Sequence, residues 1–372
     1  MRVDATRVTG PGDGQPDDRS AGPDGDDGHG SFGEFLRELQ GLFPPALVSG
    51  SGWDRLLALA RRLPIHVIDR RFGFEFDLFD PDPVADFCVV PSPGTRLAEF
   101  YVRRGELASP SSAEAALGTF LAKSWANAPP AGFPAQGEGD VILEYDLAGM
   151  PAERPTVPGI FIVPLDDSSR EGLFGEPERL AAALWAVAGW TPDEAILRQM
   201  QRVYRRMAPP ARVSQAGILP GRPQRAIRLI LRAESGEGAV ELLERLDWAG
   251  SLADVATAYD SLSELTRPGV SLSVDVTTQG VSRRLGLELF RPTAWHELDR
   301  TGWNLLIDRL EDQGWCLPEK ALGLKAWPRM EQAFDRAGAY RILQSINHVK
   351  VVLDRGTTTA KAYAGAIVLK SA

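Results

Sequence analysis

Three stretches far apart in this chain repeat one alternating pattern. Phe72-Gly-Phe-Glu75-Phe-Asp77-Leu-Phe79, Leu143-Glu144-Tyr-Asp146-Leu147 and Gly286-Leu-Glu288-Leu-Phe290 set large apolar residues against acids with a period of two. That period sends one set of side chains to each face of a strand, so each stretch reads as a strand with one buried and one polar face. The pattern recurs at the same point of successive helix-then-hairpin units, as a repeated supersecondary module does.

Strand patterns fall near residues 72–79, 85–91, 97–103, 140–147, 159–165, 213–219, 225–233, 270–277 and 284–290, and a last hairpin joins 347–354 to 359–369. Between them, helical spacing runs over 31–43, 52–63, 177–188, 238–246, 252–265, 295–313 and 318–337. A further helix opens at Thr191-Pro192-Asp193-Glu194, read as an N-cap, a proline at the first helical position and acids in the first turn. It runs to about Met207, where Pro209-Pro210 stops it. About ten antiparallel strands in an open sheet leave unpaired edges, which closure into a barrel ringed by helices removes. The expected class is therefore α+β, an antiparallel barrel of about ten strands in one domain over residues 31–372, with a two-domain α+β sandwich as the alternative. Residues 1–30 are rich in Gly, Asp and Pro and nearly free of large apolar residues, the composition of a disordered tail.

The last hairpin carries the sharpest chemical signal. Alternation sends His348, Lys350 and Val352 one way and Val349, Val351 and Leu353 the other, while Lys361 and Tyr363 oppose the small row Ala360, Ala362, Ala364 and Ala366. A loop of two or four residues sets Lys350 against Lys361 or Tyr363. Like charges opposite each other destabilise an antiparallel pair, so an anion, or carboxylates from neighbouring strands, is expected between them. If apolar faces meet the helices, the lumen receives Glu75, Asp77, Glu144, Asp146, Arg228, Arg232, Asp275, Arg284, Glu288, His348, Lys350, Lys361 and Tyr363. Charges of both signs in one enclosed cavity have perturbed pKa values and suit acid–base work. The same alternation also describes an ordinary half-exposed antiparallel sheet.

The net charge of −9 and the lack of a basic run argue against a nucleic-acid partner. Cys88 and Cys316 are too few for a disulfide framework, and the four histidines lack metal-ligand spacing, so no metal site is expected. No run of eighteen apolar residues and no early signal-type segment occurs, which points to a cytoplasmic protein without a membrane partner.

The order helix, strand, strand, helix over residues 50–372 resembles the αββα barrel of the ABBA prenyltransferases. That resemblance implies a substrate in the lumen, a prenyl diphosphate held by Arg, Lys and Tyr residues, and Mg²⁺ only in that case. Arg228, Arg232, Arg284, Lys350, Lys361 and Tyr363 match in type, whereas the many acids depart from the pattern. Gly217-Ile-Leu-Pro-Gly-Arg222, Leu246-Asp-Trp-Ala-Gly250, Arg284-Leu-Gly-Leu-Glu-Leu289, Gly314-Trp-Cys-Leu-Pro-Glu-Lys320 and Asn347-His-Val-Lys350 with Ala360-Lys-Ala-Tyr363 also resemble a bacterial family tied to ribosomal-peptide modification of the class V lanthipeptide type. This second resemblance implies a peptide-tailoring enzyme, with thioether-ring cyclisation as its expected reaction and partner biosynthetic proteins. The candidate catalytic residues are His348, Lys350, Lys361, Tyr363 and Glu288, and the candidate substrate-binding residues are Arg228, Arg232, Arg284, Glu75 and Glu144. A peptide-binding scaffold without catalysis is the remaining expectation.

Overall fold

The computed structural model describes residues 31–69, 72–124, 140–148, 157–164, 172–294, 297–335 and 338–370. Two helices precede each pair of strands, five times over. The first unit is α1 (Phe32–Glu38), α2 (Gly50–Ala60), β1 (Phe72–Asp77) and β2 (Ala85–Val89); the second is α3 (Arg96–Leu107), α4 (Ala113–Ser124), β3 (Asp140–Tyr145) and β4 (Gly159–Val163). The third comprises α5 (Pro177–Ala188), α6 (Glu194–Arg206), β5 (Arg212–Ile218) and β6 (Ile227–Ala233), and the fourth α7 (Gly236–Arg245), α8 (Leu252–Ser263), β7 (Val270–Thr277) and β8 (Gly280–Phe290). The last holds α9 (Arg300–Asp312), α10 (Pro318–Lys325), β9 (Arg329–Asp335), β10 (Gly338–Asp354) and β11 (Thr357–Lys370).

Neighbouring strands pair antiparallel in the order β1 to β8, then β10 and β11, and β11 returns to β1. Ten strands thus close into a barrel and β9 hangs outside it, paired to the first part of β10. Each strand turns one face to the helices. Phe72, Phe74 and Phe76 of β1, Leu285, Leu287 and Leu289 of β8, Val349 and Val351 of β10 and the alanine row of β11 are all buried there. That row on β11 is small, whereas on β1 large rings fill the space: Phe74 meets Phe43, Phe76 and Trp327 at centroid distances of 5.1–6.0 Å. Truncating such a ring costs about 3–5 kcal/mol.

Several expectations are corrected. Residues 97–103 form helix, because Thr95 caps the chain by accepting from the Ala98 N–H and the buried residues Leu97, Ala98, Tyr101 and Gly105 fall at helical spacing. The helix expected from Thr191 is capped by Asp193, whose carboxylate accepts from Ala195 and Ile196, and starts at Glu194. Helix 318–337 stops at Lys325, since Pro328 disfavours helix at the residue before it, and β9 follows. The helix expected from Trp295 begins at Arg300; Trp295 and His296 lie outside the described residues, as do residues 1–30. Among the described residues no helix is long and apolar enough to cross a membrane.

Candidate functional site

The inward faces enclose a lumen whose two ends differ in chemistry. At one end Glu75, Glu144, Arg222, Arg228, Ser273, Asp275, Arg284, Lys350, Lys361 and Tyr363 surround a small polar space. Arg355 and Gly356, both with positive φ, make a two-residue turn of the kind that fits the strand twist. That turn sets Lys350 directly opposite Lys361. Their repulsion is offset by carboxylates from neighbouring strands. Lys350 Nζ lies 3.2 Å from Glu288 on β8, and Lys361 Nζ lies 2.5 Å from Glu75 and 3.7 Å from Asp77 on β1. Gly286 makes room for this, because a Cβ there would come within 2.3 Å of the Lys350 stem. Arg228 likewise holds Asp275 in a two-pronged pair at 2.8 and 3.0 Å, and Arg222 holds Asp146 at 3.1 Å. Arg284, exposed at the rim, has no ion pair among the described residues.

Beyond this layer the lumen opens into an apolar chamber lined by Ile142, Phe161, Ile230, Phe290 and Val90 with Cys88, Gln215, Asn347 and His348. Cys88 therefore faces the lumen, while Cys316 is buried. His348 is sandwiched between Phe290 (4.7 Å) and Tyr363 (4.2 Å, planes within 10°), and neither of its ring nitrogens has a hydrogen-bond partner among the described residues. Glu144, Arg228, Lys350 and Tyr363 line both spaces and form the partition between them.

Electrostatics separate the acids into two kinds. Burial alone would raise the Glu75 carboxyl, but the Lys361 and Lys350 charges overcome it and hold Glu75 far below the usual range. Glu144 goes the other way: burial, then the Glu75 charge, push it up to about 8. Burial and the charges of Glu75 and Asp146 raise Asp86 to about 7 although it accepts from the Leu147 N–H at 2.6 Å. Near neutral pH the charged end thus holds an ionised Glu75, and the partition beside it a protonated Glu144. Burial lowers His348 to about 4 and holds Tyr363 well above 10, so near neutral pH the imidazole is uncharged and the phenol keeps its proton.

Arg228, Arg284, Lys350, Lys361, Tyr363, Glu75 and Glu144 share the charged end, and Glu288 and His348 line the apolar chamber. Arg232 lies apart, at the far end of β6, where it donates to the Pro268 carbonyl at 2.9 Å. Sequence reasoning missed Asp86 and Cys88, although their alternation in Ala85–Val89 carried the signal. It also missed Gln215 and Arg212. A bulge at Ser214 switches the parity of β5 so that Arg212 pairs with Arg232 and Gln215 with Ile230 on the inward face.

No family model and no curated protein matches this sequence, so the strings likened to a ribosomal-peptide family are left without support. Among solved structures, AnaPT from Neosartorya fischeri, an ABBA prenyltransferase, aligns with a TM-score of 0.52 over 91% of each chain at 11% identity. The closed ten-stranded antiparallel barrel enclosed by helices is the ABBA prenyltransferase fold. At that identity the likeness concerns the fold alone.

Proposed function

We propose that this chain is an enzyme of the prenyltransferase type, moving an isoprenoid group from a diphosphate donor to a nucleophilic acceptor inside the barrel. The observation that carries the reading is Glu144, a carboxyl with its proton held to about pH 8, on the partition between an apolar chamber and a polar one. The apolar chamber suits an isoprenoid chain, whose burial contributes about 0.8 kcal/mol per methylene. In the reaction the donor's C–O bond breaks, a bond from the same carbon to the acceptor forms, the diphosphate leaves with the electron pair, and the acceptor's proton passes to a base. Ionised Glu144 is placed for that last step. Tyr363, kept neutral, and Lys350, whose Nζ lies 3.5 Å from the Tyr363 hydroxyl, bound the reacting space.

The five acids paired with the cations around the charged end, Glu75, Asp77, Asp146, Asp275 and Glu288, count against a diphosphate there, because their carboxylates already take up those cations. Among the described residues no three His, Cys, Asp or Glu side chains group as a cation would need. The test is incubation with geranyl and farnesyl diphosphates, with and without Mg²⁺, against indole and phenol acceptors, read by mass spectrometry. An acceptor gaining one isoprenoid group, with a rate that rises with pH to about 8 and is lost in Glu144→Gln, is the expected result. No product from any donor with the wild type would overturn the reading.

A further inference from the structure

Two pairs of like charges face each other across the strands of this barrel, at opposite ends. Lys350 and Lys361 are offset by Glu288, Glu75 and Asp77. Arg212 and Arg232 are also directly paired in register, yet neither has an ion pair among the described residues. Arg212 Nε and Arg232 Nη1 are both buried donors without an acceptor among the described residues. A third cation joins them, since Arg232 Nη2 donates to the carbonyl of Pro268, the residue after Arg267. The Arg232 guanidinium packs so closely on this loop that a Cβ at Gly269 would come within 2.8 Å of it. Burial, and then the charges of Arg267 and Arg212, depress its pKa, while Tyr259 and the exposed Glu234 exert weaker opposing pulls.

The three arginines sit beside the apolar chamber. Arg232 is one inward step beyond Ile230, which lines it, and Arg267 stacks at 4.3 Å over Phe290, another wall residue. Leaving two like charges opposed, with buried donors unpaired, is unfavourable for the empty protein. An oxyanion removes both costs at once, since guanidinium forks match such groups in charge and geometry.

We infer that Arg212, Arg232 and Arg267 form an anion site that holds the oxyanion head of a ligand whose apolar body lies in the adjoining chamber. The body rests on the prenyl-transfer reading; the head does not. A diphosphate and a carboxylate share the required chemistry, and the choice between them is experimental.

Melting temperature and calorimetric affinity would be measured with pyrophosphate, farnesyl thiodiphosphate and dodecanoate on wild type, Arg232→Met, Arg267→Met and Arg284→Met. Pyrophosphate should stabilise the wild type, and Arg232→Met and Arg267→Met should each weaken its binding about ten-fold or more while Arg284→Met does not. Farnesyl thiodiphosphate should bind at least ten-fold tighter than pyrophosphate through its chain. Tighter binding of dodecanoate than of the thiodiphosphate would identify the head as a carboxylate and retain the site. Arg232→Met should be as stable as the wild type without ligand, which separates lost binding from lost folding. Absence of binding by all three probes, or loss of binding in Arg284→Met and not in Arg232→Met, would overturn the site. Anion binding that survives without any prenyl transfer would reject the enzymatic reading and leave the site standing.

Discussion

The two ends of the lumen answer the same electrostatic problem in opposite ways. Around Lys350 and Lys361 each cation has a carboxylate within 2.5–3.7 Å, supplied by strands on either side. Around Arg212 and Arg232 the neighbouring strands bring Ser271 and Gln215, which carry no charge, and Arg267 adds a third positive one. A cluster that is neutralised internally organises the barrel, because removing either partner strands the other charge. The Arg212–Arg232 cluster has no such internal balance among the described residues, and that is where the proposed anion would act.

The contrast is most exposed to failure in Lys350→Met. The side chains of Lys350 and Glu288 are each 9% exposed, so this change leaves a buried carboxylate uncompensated and should cost about 3–5 kcal/mol, read from the urea midpoint. If Arg232→Met costs as much, the two ends do not differ as described.

Glu144 sharpens the account of the partition through pH. Its folded pKa, about 8, lies above its ordinary 4.5. Below pH 4.5 both folded and unfolded chains hold the proton and its contribution is fully present. Between 4.5 and 8 the folded state alone retains it, so stability falls with rising pH, at up to about 1.4 kcal/mol per pH unit. Glu144→Gln keeps the shape and lacks that slope. Its melting temperature should therefore gain on the wild type from pH 4.5 to 8 and stay level above; parallel curves would show that the proton is not held there.

A smaller effect is expected from Arg212→Met in the absence of ligand. Relief of the opposed charges should leave stability unchanged or raise it by about 0.5 kcal/mol, and a loss above about 1 kcal/mol would reveal a structural partner for Arg212. The smallest concerns residues 1–30, expected to bring no apolar surface to a core. Their deletion should shift the melting temperature by less than about one degree.

Where the sequence was legible, the signal was local. The split of the last hairpin into an alanine face and a charged face follows from the two-residue period of a strand, and the short turn at Arg355-Gly356 sets its register. The acids of Glu75, Glu144 and Glu288 were placed inward by the same rule, and the recurring helix-then-hairpin order carried the barrel. Helix ends were less legible, as at Asp193 and Lys325, because caps and a following proline compete over a few residues.

The sequence by itself thus determined which side chains share a face and which faces seek the core, since those depend on chain geometry alone. Only the tertiary structure decided what stands across from what. Glu288 reaches Lys350 because β8 and β10 become neighbours with β9 displaced from the ring. The bulges at Ser214 and Asn347 exist only against their partner strands, and they bring Arg212 and Gln215 inward and turn His348 toward the chamber after Ile346 has faced the core. The protons on Glu144 and Asp86 depend on burial and on charges from distant strands, which no local pattern records.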